Sequence, residues 1–366
     1  MTGYRRKGLG FLFLALIFIC NPSPATCGRI APGLLDQLDK GEPGRRYPVI
    51  VKMVEQADSP LESAEQEEEL RAVRVTKLAD KLRRKADTAQ LALRTYLEGK
   101  TQEGKVTAVQ PFWIFNGFAM SAPPEIIREL AERSDVAEVE SDRVIGMAVP
   151  VLAAPVSGSW NLGRINVGVL WERGFAGQGA VVATLDSGVD INHPDLLTQW
   201  RGGVDGWFDP YDGTATPFDE NGHGTGVMGI IVGGGASGVP LGVAPQAQWI
   251  AAKVFHNVLS PVTGRLESVA EVSKIHAGFQ WLLGLGANAP DVVNNSWDLD
   301  SPGTFDAEFR NDIQQLKNAG IQVVFAAGNA GPNLNTSVSP ANYPEAVSAG
   351  ASDQLDHVAL FSSRGP

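Results

Sequence analysis

Four short segments with the composition of buried strands constrain the fold of this chain most. They are Ala180–Asp186, Trp249–Phe255, Asp291–Trp297 and Ile321–Gly328. Short, largely apolar runs bounded by turn residues are typical of strands in the interior of a parallel sheet. An acid at the end of such a strand lies where α/β proteins place their functional sites. The pattern therefore predicts an α/β domain with a parallel sheet.

The composition indicates a folded protein with room for more than one domain. The chain has 366 residues, of which 43% are apolar and 19% charged, as in globular domains. Its net charge of −11 argues against a nucleic-acid partner, because phosphate binding requires a basic face. The only two cysteines, Cys20 and Cys27, provide neither a disulfide framework nor a cysteine-based zinc site.

The N-terminus has the organisation of an export signal. Three basic residues precede the apolar run Gly8–Cys20, and small residues and prolines follow it. This order predicts a secretory signal over residues 1–27, with cleavage after Ala25 and a secreted or cell-envelope location. The alternative is a short membrane anchor, for which the run is too short. A lipid-modified Cys27 is a further alternative.

Residues 44–150 show the pattern of a small α+β domain. Tyr47–Val54 is predicted to be a strand, and a charged amphipathic helix is expected from Leu61 to about Leu97. Its apolar stripe comprises Val75, Leu78, Leu82, Ala86, Ala89, Leu93 and Tyr96. Two paired strands follow at Val106–Val109 and Phe112–Met120. A helix that starts at two prolines is predicted at Pro123–Leu130, and a strand of alternating polarity at Val136–Glu140. This order predicts a ferredoxin-like split βαβ domain.

Two motifs in the larger domain carry candidate chemistry. Asp186 ends a strand and opens the sequence DSGVDINHPDL, and His223 lies in NGHGTGVMGIIVG, where small and branched residues predict a helix. A lone histidine between glycines is usually a capping or packed residue. An acid-bearing strand upstream makes an acid–base pair the better interpretation.

These motifs, together with IQVVFAAGNAGP at Ile321–Pro332, resemble those of the subtilases. The SW pair at Ser296–Trp297 is most similar to the bacillopeptidase F branch. The resemblance extends over residues 158–366, for which it implies a doubly wound parallel sheet, and more loosely over 44–150. It implies peptide-bond hydrolysis in which His223 is the base, Asp186 orients it, and Asn329 donates to the oxyanion. A turn asparagine is the alternative for Asn329.

The same resemblance implies roles for the flanking segments. The stretch FNGFAMSAPPEIIRELAERSDVAEVESDRVI is similar to a subtilisin-type inhibitory propeptide. Residues 44–150 would then be a propeptide that fills the substrate groove with its C-terminal tail and is cut off near the linker Met147–Ser159. Five residues are expected to line that groove: Ser296, Trp297, Ala326, Ala327 and Gly328. Asp298 stands where the family has glycine, which leaves the shape and charge preference of the pocket open.

No cofactor is expected for the chemistry. Asp195 matches a position that binds structural calcium in subtilases, and a carboxylate suits that ion. The loop Gly233–Pro240 lacks the oxygen-bearing side chains usual at that site, so a capping or surface acid is the alternative. Protein or peptide substrates and the chain's own propeptide are the expected partners of a monomer.

The attacking serine is the part of the site that has no candidate. In subtilisin it follows the oxyanion asparagine by about 66 residues, in a G-T-S-M-A segment, whereas this sequence ends at Pro366. Neither Ser362 nor Ser363 has that context. The prediction is a secreted serine endopeptidase precursor whose catalytic domain is incomplete at its C-terminus, so that this polypeptide alone is inactive. The alternatives are a non-catalytic secreted protease inhibitor or chaperone, and one half of a split protease.

Overall fold

A computed structural model describes residues 28–41, 44–56, 70–147, 160–238 and 241–365. The predicted signal, residues 148–159 of the predicted linker and the start of the predicted long helix lie outside the described residues. No helix in the described part of the chain is long and apolar enough to cross a membrane.

The N-terminal unit is a five-stranded sheet covered by helices. Its strands are β1 (Arg29–Ile30), β2 (Tyr47–Met53), β3 (Thr107–Phe112), β4 (Gly117–Ala122) and β5 (Val136–Ser141). Its helices are α1 (Pro32–Lys40), α2 (Arg71–Ala89), α3 (Leu91–Gln102) and α4 (Pro124–Ala131). The strand order is β1-β5-β2-β4-β3, and the last four strands pair antiparallel. The predicted ferredoxin-like arrangement is confirmed, with β1 added at one edge.

The single long helix predicted for this unit is wrong, because the structure has two helices that meet at Gln90. The Gln90 side chain is fully buried. Its amide donates to the carbonyl of Phe112 at 2.7 Å and to Asn116 Oδ1 at 2.9 Å. A buried amide needs such partners, and these bonds hold Gln90 at the junction of α2 and α3, where its backbone keeps helical dihedral angles (φ −83°, ψ −10°).

The C-terminal domain is built on a six-stranded parallel sheet. The strands that follow β5 are β6 (Val144–Gly146), β7 (Val181–Asp186), β8 (Trp207–Phe208), β9 (Gln248–Lys253), β10 (His256–Leu259), β11 (Leu266–Glu271), β12 (Val292–Asn295), β13 (Gln322–Ala326) and β14 (Val347–Ala349). The helices are α5 (Trp160–Arg164), α6 (Gly168–Glu172), α7 (His223–Val232), α8 (Val272–Gly284) and α9 (Arg310–Asn318). The large sheet has the order β14-β13-β12-β7-β9-β8, whereas β10, β11 and β6 form a separate antiparallel sheet.

Helices cover both faces of the parallel sheet, which confirms the doubly wound prediction. On one face, Met228 and Val232 of α7 pack with Val182 and Trp249. On the other face, α8 and α9 join a larger core that includes Leu185 of the sheet. Parallel sheets are stable only when covered in this way.

The N-terminal unit docks on α8 and α9 and shares their core. Phe112 and Phe115 belong to the same buried cluster as Ile275 and Phe279 of α8. Gln280 accepts hydrogen bonds from the backbone amides that follow Phe112, the shorter at 2.7 Å. This continuous apolar contact, together with the pairing of β6 and β11, fixes the unit over one edge of the larger domain.

Candidate active site

Backbone geometry brings Asp186 and His223 together. Asp186 is the last residue of β7, and helix α7 begins at His223 after Gly222, whose φ of +88° is left-handed. The helix start approaches the turn after β7 so closely that a Cβ on Gly224 would lie 2.1 Å from the carbonyl oxygen of Gly188. Only glycine permits that approach.

The two side chains form a short hydrogen bond in a nearly dry setting. His223 Nδ1 lies 2.8 Å from Asp186 Oδ1, and the side chains are 16% and 1% exposed. The backbone amide of Ser187 donates to the same oxygen at 2.7 Å, whereas Asp186 Oδ2 accepts no hydrogen bond from a described residue. Because the carboxylate can only accept, the proton lies on Nδ1 and Nε2 is left as the basic nitrogen.

The surroundings of His223 favour its protonated form. Burial lowers the pKa of the imidazole, but the hydrogen bond and charge of Asp186, with the charge of Asp219, raise the pKa above its ordinary value of 6.5. An imidazole of raised basicity, held in one tautomer, can act as a general base.

Asn329 lies at the same edge of the sheet as Asp186. It follows β13, which pairs with β12, and β12 pairs with β7 in parallel. The side chain is exposed. Gly328 before it has a φ of +100°, and a Cβ there would lie 2.7 Å from Val338, so this turn requires glycine.

A cavity of about 250 Å³ lies beside Asn329. Its lining comprises Gly146, Met147, Asp298, Asp300, Pro302, Asn329, Ala330 and Val338. Burial raises the pKa of Asp298, although the amide of Asp300 donates to it at 2.7 Å. The residue that departs from the family pattern therefore adds a carboxyl group to this cavity.

The predicted groove residues differ in their surroundings. Trp297 is 1% exposed and donates its indole N–H to the carbonyl of Leu185 at 3.0 Å. Its side chain is therefore a core residue, and the prediction that it lines the groove can hold only for its backbone. Ser296, Ala326 and Ala327 are partly buried, and Gly328 is buried.

The segment that leaves the N-terminal unit runs along the larger domain as strand β6. It pairs antiparallel with β11, with Gly146 opposite Val269 and Val144 opposite Glu271. The amide of Met147 donates to the carbonyl of Ser268 at 2.8 Å. Gly146 and Met147 also line the cavity beside Asn329, so this peptide segment occupies that edge of the domain.

Sequence reasoning missed Asp219, which receives five hydrogen bonds beside the pair. Its donors are Ser187 Oγ, the backbone amides of Asn221, Gly222 and Thr225, and Thr225 Oγ1. The sequence does hold a signal for Asp219. The helix predicted at His223 is preceded by a glycine, which cannot cap it with a side chain, and an acid stands a few residues earlier.

Asp195 is the predicted calcium ligand, and the atoms around it suit a bound cation only in part. The residue is 1% exposed, and its Oδ2 has no hydrogen-bond partner among the described residues. However, the amide of Ser237 donates to Oδ1 at 3.0 Å and that of Gly234 to the Asp195 carbonyl at 2.8 Å. Within the described ranges no group of three or more histidine, cysteine or acidic residues could hold a metal ion.

None of the described serines forms a hydrogen bond with His223. Ser362 and Ser363 are buried, and their hydroxyls accept from the amides of Ala351 and Ala330, each at 3.1 Å. Ser187 Oγ bonds Asp219.

Comparison with known proteins identifies two families along the chain. The subtilase family model matches residues 177–366, and the model of the peptidase inhibitor I9 family matches residues 48–148. Bacillopeptidase F of Bacillus subtilis (strain 168) is 31% identical over 77% of this chain and 21% of its own length. Subtilisin E of the same organism and the M-protease of Shouchella clausii are each 32% identical over 72% of this chain. The chain spans 62% of the length of each of these last two.

Proposed function

The chain belongs to the subtilase family, and from this premise we propose that it is the precursor of a secreted serine endopeptidase that hydrolyses peptide bonds in proteins. The observation that carries the proposal is the bond of 2.8 Å between His223 and the buried Asp186. Asn329 at the same sheet edge supports it.

Each of the three residues has a distinct role in the proposed reaction. His223 Nε2 takes the proton of a serine hydroxyl during attack on the carbonyl carbon and returns it to the leaving amine. Asp186 holds the Nδ1–H tautomer and stabilises the imidazolium that forms. The Asn329 amide donates to the tetrahedral oxyanion, an interaction whose loss in subtilisin costs about 10²–10³ in rate. Water then hydrolyses the acyl-enzyme.

The nucleophile in this proposal is a serine that is not among the described residues. No described hydroxyl lies within hydrogen-bond reach of His223 Nε2, and we assign that role to no residue of this sequence. The 366-residue polypeptide alone is accordingly proposed to be inactive.

The N-terminal unit is proposed to be an intramolecular inhibitor. The match of residues 48–148 to the inhibitor family supports this role. The pairing of β6 with β11 supports it further, because a bound tail excludes other peptide chains from the same edge. We propose residues 1–27 as signal, 44–150 as propeptide and 158–366 as catalytic domain, in a monomer that is exported or held at the cell envelope.

Structural calcium at Asp195 is a secondary proposal. Asp195 Oδ2 accepts no hydrogen bond from a described residue, which supports the ion. The amide that donates to Oδ1 and the imidazole of His193, 4.0 Å from Oδ2, oppose it because both already contact the carboxylate. Addition of calcium after chelation should raise the melting midpoint of the wild-type chain but not that of Asp195→Asn. An unchanged midpoint would exclude the ion.

A second candidate function is inhibition of other peptidases by the N-terminal unit. It is favoured by the unit's own buried core, which includes Val49, Phe118 and Ile127.

A fluorophosphonate probe, which labels activated serines, distinguishes the serine endopeptidase from the peptidase inhibitor. We expect the protein as its source cell produces it to be labelled, its His223→Ala variant to remain unlabelled, and the 366-residue polypeptide to remain unlabelled. Labelling of the His223→Ala variant at the wild-type rate would refute the base assignment. Absence of labelling in every form would favour the inhibitor.

A further inference from the structure

Asp219 connects the two elements that carry the acid and the base. It stands in the loop before α7, four residues from His223, and forms an isolated bridge with Gly188 in the turn that follows Asp186. Asp219 therefore lies beside both the turn that follows β7 and the beginning of α7.

Both carboxylate oxygens of Asp219 accept hydrogen bonds, from the turn after β7, from the loop before α7 and from the first turn of α7. Oδ1 accepts from Ser187 Oγ at 2.9 Å and from the amides of Asn221 and Gly222 at 3.0 and 2.9 Å. Oδ2 accepts from the amide of Thr225 at 2.9 Å and from its hydroxyl at 2.6 Å. A carboxylate satisfied by five donors is fixed in place and fixes those donors in turn.

Ser187 shows how this second carboxylate reaches the first. Its hydroxyl has a single proton, and its oxygen already accepts from the amide of Gly224 at 3.0 Å. The proton can go to Asp219 Oδ1 at 2.9 Å or to Asp186 Oδ1 at 3.3 Å. The shorter contact directs it to Asp219. Asp186 Oδ1 then keeps its accepting capacity for His223 and for the amide of Ser187.

We infer that Asp219 is a positioning residue for the proposed reaction: it fixes the start of α7 and keeps the Ser187 proton away from the carboxylate that orients His223. The inference rests on the proposed function for its catalytic meaning. Its contacts and its effect on the imidazole exist whether or not a nucleophile is present.

The charge of Asp219 gives the inference a measurable consequence. Asp219 and Asp186 are the acids whose charges raise the pKa of His223, against the opposing effect of burial. Asp219→Asn removes one of these charges, and it also weakens the competing acceptor for the Ser187 hydroxyl, because a neutral amide oxygen accepts less strongly than a carboxylate. Both changes weaken the stabilisation of the imidazolium, so the pKa of His223 should fall toward 6.5. A residue whose charge did not act on His223 would lower stability without moving this pKa.

The test is a histidine NMR titration of the 366-residue polypeptide. The chain has five histidines, and the signal of His223 is the one absent from His223→Ala. Glu220→Gln is the matched control, because it removes one negative charge at the adjacent position, where the side chain is 41% exposed and pairs with Lys253.

We expect Asp219→Asn to shift the His223 titration to lower pH, and Glu220→Gln to leave it at the wild-type value. If Asp219→Asn does not fold, Asp219→Ser, which also lacks the charge, should show the same shift. A folded variant that titrates as the wild type does would overturn the inference. Because the titration needs no nucleophile, it can succeed even if fluorophosphonate labelling fails.

Discussion

Loss of the Lys52 ammonium is expected to destabilise the docked N-terminal unit by about 3 kcal/mol. Lys52 Nζ lies 3.0 Å from Glu308 Oε1 and also pairs with Glu140. Glu308 is 3% exposed and further contacts Arg143 and His276, at 3.3 and 3.2 Å. Breaking a buried ion pair typically costs 3–5 kcal/mol because one charge stays buried without its partner. Lys52 is 25% exposed, so we expect about 3 kcal/mol, the lower end of that range, for Lys52→Met.

The assay is urea unfolding of the whole chain, monitored with two different spectroscopic probes whose transitions should coincide if unfolding is cooperative. Arg29→Met is the matched control, because the Arg29 side chain is 75% exposed in its pair with Glu138 and such pairs contribute about 1 kcal/mol or less. Adding Glu140→Gln to Lys52→Met should recover part of the loss, since Glu140, whose ion pair is with Lys52, is then no longer a carboxylate without a partner. A cost for Lys52→Met no larger than that for Arg29→Met would refute the reasoning.

Three further predictions concern His276, the turn at Gly224 and the cavity at Met147. Burial opposes the charged form of His276, but the adjacent carboxylates of Asp312 and Glu308 raise its pKa to about 9. The charged imidazole therefore contributes roughly 3 kcal/mol to the free energy of unfolding, a contribution that is complete below pH 6.5 and lost as the pH rises to about 9. His276→Gln should abolish this pH dependence of the free energy of unfolding in urea. Gly224→Ala should cost about 2 kcal/mol, because its Cβ would lie 2.1 Å from Gly188 O; an unchanged urea midpoint would contradict this. Met147→Glu should be less stable than Met147→Gln by about 1 kcal/mol, because the cavity already holds Asp298 and a second carboxylate, and equal midpoints would exclude that repulsion.

The core of the fold and the acid–base pair could be predicted because their signals are local. An apolar run that ends at Asp186 specifies a buried strand wherever it occurs, and the glycines around His223 report a close backbone approach. The spacing of the apolar stripe likewise identified the buried face of α2 through Val75, Leu78 and Leu82, all of which are buried.

The remaining features depend on contacts between distant parts of the chain. The helices α2 and α3 meet at Gln90, whose amide bonds Phe112 and Asn116, and periodicity cannot reveal these contacts. The sequence places Trp297 just after the end of a strand, where an exposed side chain is expected. Its indole N–H instead donates to the carbonyl of Leu185, 112 residues away in sequence. The five donors of Asp219 converge only once β7 and α7 are packed together. Such arrangements follow from tertiary geometry rather than from local propensity.

The measurement that tests the proposed catalysis most directly is the intact mass of the protein as its source cell produces it, in wild-type and His223→Ala forms. If His223 is the base of a serine peptidase that releases its own N-terminal unit, the wild-type protein should be cut within residues 147–159, and His223→Ala should remain uncut. The same cut in the His223→Ala protein, when that protein is the only peptidase present, would contradict the proposed role of His223.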